Sequence, residues 1–204
     1  MDGGTHEVYP ARPDMSASDP LESVMARYVA GDLQAFDDLY ARVAPRVHRY
    51  LLSMTRDRMR AEDLCQTTFL KLHRGRGGWI PGSPVMPWVM AIARNALYDD
   101  SLQAKRTRVK VTTTGDLPDI GDLAVAGEAL EAKQSSTELN EVLAQAVDAL
   151  PLRQREALAL TTQGGLTHRD AAAALDTTET AIKLRVHRAY QTLRAALHKY
   201  KQSS

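Results

Sequence analysis

Four side chains suited to gripping a nucleic-acid strand recur at helical spacing in the middle of the sequence. They are Arg94, Tyr98, Ser101 and Lys105, separated by four, three and four positions. On a helix that spacing sets them in one stripe, flanked by Asn95 and Leu102 and continued by Arg106. Cations meet phosphates and a base stacks on the tyrosine ring, a combination that suits an unpaired strand. A second set lies near the C-terminus. At 100° per residue, Thr180, Lys183, Leu184, His187 and Gln191 share an arc, with Arg185 and Arg188 on its flank and Thr178 in the turn just before. Ile182, Val186, Ala189, Tyr190, Leu193 and Leu197 fall opposite and are expected to face a core. Such a helix reads base edges in a duplex with its first turns while Arg and Lys hold phosphates.

A third face carries different chemistry. Asp63, Gln66, Thr67, Leu70 and Arg74 lie opposite Ala61, Leu64, Cys65, Thr68, Phe69 and Leu72 on one helical wheel. A leucine ringed by polar side chains has the makeup of a protein contact with an apolar centre and a polar rim. Between this helix and the Arg94 stripe sits a loop with Gly75, Gly77, Gly78 and Gly82. No Gly-Lys-Ser/Thr follows it, so it is not a phosphate-cradling loop; it has the freedom to close over an extruded base.

Charge along the chain agrees with a polyanion partner, although the net value is only +1. From Arg94 to Lys110 five bases face two acids, from Asp116 to Glu141 seven acids face Lys133, and from Ala181 to Ser204 six bases face none. Two basic blocks separated by an acidic one fit a nucleic-acid binder. The single cysteine, Cys65, excludes an internal disulfide framework and a Cys-rich zinc site. Cys65 and Asp63 fall on opposite helix faces, so with His48 and His73 they make no convergent cluster; His168 starts a helix and His187 faces DNA. The residues call for no enzyme, no cofactor and no metal. No apolar run approaches the roughly 18 residues of a membrane span, and no basic-then-apolar export signal opens the chain, so cytoplasmic residence without membrane insertion is expected.

Helices must position these faces, because aromatics are scarce and no strand-like alternation occurs. Residues 1–18, polar with two glycines and two prolines, read as a disordered tail. Asp19-Pro20-Leu21-Glu22 predicts a capped helix start, and another follows Gly31, with Pro45 expected to kink or break the second helix. A third helix is predicted over about 60–74 and a long one over about 84–106. Residues 111–136 have linker composition, with a short helix conceivable at Leu123–Leu130. Helices resume at 139–150, 152–162, 168–174 and 179–199, where Thr167-His168-Arg169-Asp170 forms a capping box and Leu175-Asp176-Thr177-Thr178 the turn of a helix-turn-helix. The expected fold is all-α: two small helical domains, 19–110 and 137–204, joined by a flexible acidic linker at 111–136.

Several ordered motifs carry a family resemblance. Gly31-Asp32, Ala35-Phe36 and Leu39-Tyr40, then Ala61-Glu62-Asp63-Leu64-Cys65-Gln66 and Phe69-Leu70-Lys71-Leu72, resemble region 2 of the extracytoplasmic-function (ECF, group IV) sigma factors of the bacterial sigma-70 family. Pro87-Trp88-Val89, Ile92-Ala93-Arg94-Asn95 and Asp99 are similar to their promoter-melting helix. Leu150-Pro151, Arg155-Glu156, Leu160 and Lys183-Leu184-Arg185-Val186-His187-Arg188-Ala189 resemble region 4. The resemblance implies a transcription initiation factor that docks on the β′ clamp of core RNA polymerase through Asp63, Gln66, Thr67, Leu70 and Arg74. It implies contact with the melted minus-ten strand through Arg94, Asn95, Tyr98, Ser101, Lys105 and Arg106. It assigns the minus-35 duplex to Thr178, Thr180, Lys183, Leu184, Arg185, His187 and Arg188, with region 4 seated on the β flap. A cognate anti-sigma factor, often membrane-bound in the family, is implied as a further partner. The sequence departs from the family where Asp100-Ser101-Leu102-Gln103 precede Lys105-Arg106 and where Ala181, Leu184 and Tyr190 stand. The competing reading is a stand-alone helix-turn-helix regulator that binds an operator without polymerase.

Overall fold

The structure, a computed structural model, describes residues 19–111 and 134–203; the expected tail, nearly all of the linker and the short helix at Leu123–Leu130 lie outside the described residues. Eight α-helices and one 3-10 turn are present among the described residues, and no strand. The all-α expectation holds.

Helix α1 (Leu21–Val29) starts at Pro20, which occupies the N-cap position without any side-chain cap. Asp19 therefore does not cap it, contrary to expectation. Glu22 turns across the fold instead, and its carboxylate accepts the Val85 amide at 3.3 Å. Helix α2 (Gln34–Thr55) is started by Asp32, whose Oδ1 accepts from the amides of Gln34 and Ala35. Pro45 does not break it. Pro45 and Ala41, the residue whose carbonyl loses its helical partner, are both exposed, so water can satisfy that oxygen. On the other side Val43, Ala44 and Val47 are buried and hold the helix to the core through the gap.

Helix α3 (Arg58–Gly75) is capped by Asp57, which accepts from the Arg60 amide at 3.0 Å. The glycine loop that follows forms a 3-10 turn at Arg76–Gly78 and is anchored by the buried Trp79, while Ile80 at its tip is 71% exposed. Helix α4 (Val85–Val111) runs five residues beyond the predicted end. Two ion pairs fasten it to α3: Arg60 with Asp100, and Lys71 with Asp99.

The C-terminal half comprises α5 (Gln134–Asp148), α6 (Leu152–Thr162), α7 (His168–Ala174) and α8 (Glu179–Ser203). Thr167 caps α7 as predicted, accepting from the Asp170 amide and donating to its carboxylate. Asp176 makes the turn into α8 with a left-handed φ of 47°, a conformation Asp tolerates better than most residues. Arg155 to Leu160 are buried without interruption, so the middle of α6 is enclosed on all sides while Arg153 and Thr162 at its ends are exposed.

The two halves pack on each other, α6 against α2 and α7 against α4. One buried cluster runs through both, from Val24 to Val186. This contact decides the accessibility of the α4 face.

Candidate nucleic-acid interface

The α8 face stands open. Thr178, Thr180, Lys183, Leu184, His187 and Arg188 are exposed and Arg185 is half-buried, while Ile182, Val186 and Ala189 are buried behind them. Thr178 Oγ1 accepts from the Ala181 amide at 3.2 Å and so fixes the first turn. Lys183 pairs with Glu179 one turn earlier at 2.7 Å, and that hydrogen bond and charge hold the Glu179 carboxyl below its ordinary pKa. Tyr190 departs from expectation. Predicted for the core arc, it is 44% exposed, because the arc at this level is already filled by Ala189 and Leu193 against Leu150 and Leu158.

The Leu70 face is also open. Leu70 is 57% exposed, Asp63, Gln66 and Arg74 are exposed around it, and Thr67 is half-buried. Directly behind, Leu64, Cys65, Phe69 and Leu72 are buried. Burial pushes the Cys65 thiol up to about 11, as expected of a small apolar core residue rather than a reactive one.

The α4 stripe is where the structure corrects the sequence most. Ser101 is only 7% exposed and donates to the Leu97 carbonyl at 2.9 Å, so it is a core residue and not part of an open stripe. Arg94 and Tyr98 are half-buried and already engaged. The Arg94 Nε and the Tyr98 hydroxyl both donate to one oxygen, Oε1 of Glu156 on α6, each at 2.9 Å. The Arg94 guanidinium carbon also lies 4.7 Å from the Tyr98 ring centroid, a cation–π contact. Burial opposes the Arg94 charge, but the Glu156 carboxylate outweighs it and the guanidinium pKa is raised. Burial and the same carboxylate raise the Tyr98 hydroxyl. Tyr50, fully buried on α2, is raised by burial first and by Glu156 second. Asn95 remains exposed, and an open cleft of about 390 Å³ lined by Lys71, Ile92, Asn95, Tyr98 and Asp99 leaves one side of the Tyr98 ring approachable. Lys105 and Arg106 continue the helix; their side chains lie outside the described residues.

Glu156 was missed as a partner for this stripe. The available signal was its place in Arg155-Glu156-Ala157-Leu158-Ala159-Leu160, since a carboxylate in a run with no polar face must find a cation when buried. Arg46 was also missed. Its Nε donates to the Gly164 carbonyl at 2.9 Å and its Nη2 to the Gly165 carbonyl at 2.6 Å, clamping the end of α6 to α2.

Comparison with known proteins gives both halves the same origin. The family model for Sigma-70 region 2 matches residues 39–107, and that for Sigma-70 region 4 matches residues 140–193. The chain is 36% identical over 173 residues to the RNA polymerase sigma factor CarQ of Myxococcus xanthus, covering 85% of this chain and 95% of that one. It is 34% identical to the ECF RNA polymerase sigma factor SigM of Bacillus subtilis, covering 78% and 93%. Among solved structures, the sigma factor RpoE of Bartonella quintana, in complex with the anti-sigma factor NepR, aligns with TM-score 0.61 at 26% identity over 81% of this chain and 98% of its own. CnrH, in complex with the cytosolic domain of CnrY, aligns with TM-score 0.64 at 21% identity over 89% and 99%, and shares the fold. With region 2 spanning α2 to α4, region 4 spanning α5 to α8, and relatives matched through both, the chain belongs to the ECF sigma factors of the bacterial sigma-70 family.

Proposed function

We propose that this sigma factor binds core RNA polymerase through the Leu70 face of α3, recognises the minus-35 duplex with α8 and holds the melted minus-ten strand against α4. The observation that carries this reading is the presence on one chain of three separate faces of distinct chemistry: apolar-centred on α3, basic on α8, and cation-plus-aromatic on α4. An operator-binding regulator needs only the second, and relatives named as sigma factors match across both halves. Leu70 with Asp63, Gln66, Thr67 and Arg74 meets the β′ clamp. Lys183, Arg185 and Arg188 hold phosphates while Thr178, Thr180, Leu184 and His187 face base edges, and region 4 rests on the β flap. Arg94, Asn95, Tyr98, Lys105 and Arg106 meet the strand, with a base stacked on Tyr98 in the cleft it shares with Lys71. Ser101 acts there only by fixing the helix.

The chain works by binding rather than by catalysis and does so in the cytoplasm. No helix among the described residues is long and apolar enough to cross a membrane. An anti-sigma factor, often membrane-bound in this family, is the proposed negative regulator, by analogy with the complex of the Bartonella quintana protein. The deciding experiment is transcription in vitro with purified core polymerase on the promoter upstream of this protein's own gene. A transcript that requires the added chain supports the reading; a chain that footprints the duplex alone and never joins polymerase sinks it.

A further inference from the structure

Where α2 meets α5 and α6, the chain leaves an open groove of about 430 Å³, a size within the range of small-molecule sites. Its apolar floor is Leu52 on α2, Leu143 and Val147 on α5, and Leu158 on α6. Its cations are Arg49 and Arg56 on one side and Arg155 on the other. We propose that this groove binds a small anionic amphiphile, with a carboxylate or phosphate head held by Arg49, Arg56 and Arg155 and an aliphatic body on the floor between them. The site does not depend on which faces of the chain meet polymerase or DNA.

The arginines outnumber their partners. Arg56 Nη2 and Arg155 Nη1 share one oxygen of Asp148, at 3.3 and 3.7 Å. Arg49 is exposed, and its side chain has no ion pair or hydrogen bond among the described residues. No Asp or Glu is among the described residues that line the groove. The excess charge is felt nearby: the Arg46 guanidinium pKa is lowered by burial first and by Arg49 second, against the opposing pull of Asp170.

Arg155 makes the strongest demand for an anion. It is 8% exposed, and its buried Nε has no hydrogen-bond partner among the described residues. Its one ion pair, at 3.7 Å, is longer than a hydrogen bond. A buried guanidinium short of acceptors costs free energy, and packing alone would be served as well by an apolar side chain of similar length. An anion in the groove supplies the missing acceptors.

Arg56 adds an independent sign. It holds the C-cap of α2 in the left-handed region, with φ 57°, where glycine or asparagine is the usual residue. A cation stands there against the backbone preference, as side chains at functional positions do.

The lining also selects the body of the ligand. No aromatic side chain borders the groove among the described residues, so a nucleobase finds no ring to stack on. An inorganic anion would leave the leucines and Val147 uncovered, and a neutral lipid would leave the arginines unpaired. Both needs are met by one molecule with a charged head and a short aliphatic chain. Because α2 belongs to one half and α5 and α6 to the other, an occupant ties the halves together and stabilises the folded chain by mass action.

The test is calorimetric titration of the full chain with decanoate and with decyl phosphate, each kept below the concentration at which it forms micelles, beside decanol, acetate and inorganic phosphate. At least one of the two anionic amphiphiles should bind with one molecule per chain and raise the thermal midpoint. The tighter of the two identifies the head group as carboxylate or phosphate. Arg49→Gln, at an exposed and unpaired side chain, should weaken that binding by about tenfold or more, as should Arg155→Met, with circular dichroism verifying that each variant remains helical. Arg194→Ala, an exposed base on α8 outside the groove, should leave it unchanged. Failure of both amphiphiles to bind overturns the proposal. So does equal binding of decanol, which would make the groove merely apolar, or equal binding of acetate or phosphate, which would make it merely basic. Binding that ignores Arg49→Gln, or that falls as much in Arg194→Ala, places the ligand elsewhere and overturns it as well.

Discussion

Arg46 and Gly165 are 119 positions apart in sequence, yet the guanidinium Nη2 donates to the glycine carbonyl at 2.6 Å. Gly165 sits in the left-handed region with φ +62°, just past the end of α6, and a Cβ there would lie 2.9 Å from that same nitrogen. The missing side chain thus serves the backbone conformation and the approach of Arg46 at once. Gly165→Ala should destabilise the chain by about 1–2 kcal/mol from the left-handed backbone alone, measured by urea unfolding. Adding Arg46→Ala should recover none of that backbone cost, so a double variant restored to wild-type stability would refute this account.

Tyr98 offers a cleaner separation of roles than its removal. Tyr98→Phe keeps the ring for stacking and loses the hydroxyl bond to Glu156, so it should bind single-stranded DNA at least as well as wild type. Tyr98→Ala should cost about 1–3 kcal/mol on a minus-ten strand. Equal binding by the alanine variant would exclude base stacking at this position.

Leu70→Asp places a charge at the centre of the α3 face without disturbing a core, since Leu70 is 57% exposed. Affinity for core polymerase should fall by about 2 kcal/mol or more, the scale of an interface hot spot, with the helical dichroism intact. Unchanged affinity in a folded variant would remove this face from the contact.

On α8, Lys183→Ala and Arg185→Ala should each weaken minus-35 duplex binding by about 1–3 kcal/mol where the contact is base-specific. A phosphate contact would instead reduce the salt slope by about 1. Because Lys183 also pairs with Glu179, Glu179→Gln should release it and strengthen duplex binding at low salt. Weaker binding in that variant would show the pair to be an orienting one.

Cys65 supplies a pH signature. Its thiol is raised by burial to about 11 from an ordinary 9.0. Between those values the folded chain holds a proton that the unfolded chain releases, so stability should fall as pH rises through that window and stay unaffected by this group below it. Cys65→Ser should flatten the alkaline limb of a stability–pH curve. At pH 8 the wild-type thiol should resist modification until the chain unfolds.

Much of this protein is legible in local pattern. The Thr167 cap, the Asp176 turn, the buried Ile182 and Val186 and the exposed Leu70 all follow from spacing of three and four and from side chains that bond their own backbone. Such features depend on neighbours within a turn or two, which the sequence lists directly. Pro45 shows where local rules end. Its lost hydrogen bond was readable, but the packing of Val43 and Val47 that carries α2 past it is made by other helices.

The amino-acid order by itself determined the helices, the two-part division, the charge blocks and the family motifs, because each is written in contiguous or periodic residues. Tertiary structure alone decided that Ser101 is buried, that Tyr190 is not, and that Arg94 and Tyr98 face a carboxylate 62 and 58 positions away. Helical periodicity specifies which residues share a face, whereas the covering of that face depends on a second surface brought to it from a distant part of the chain.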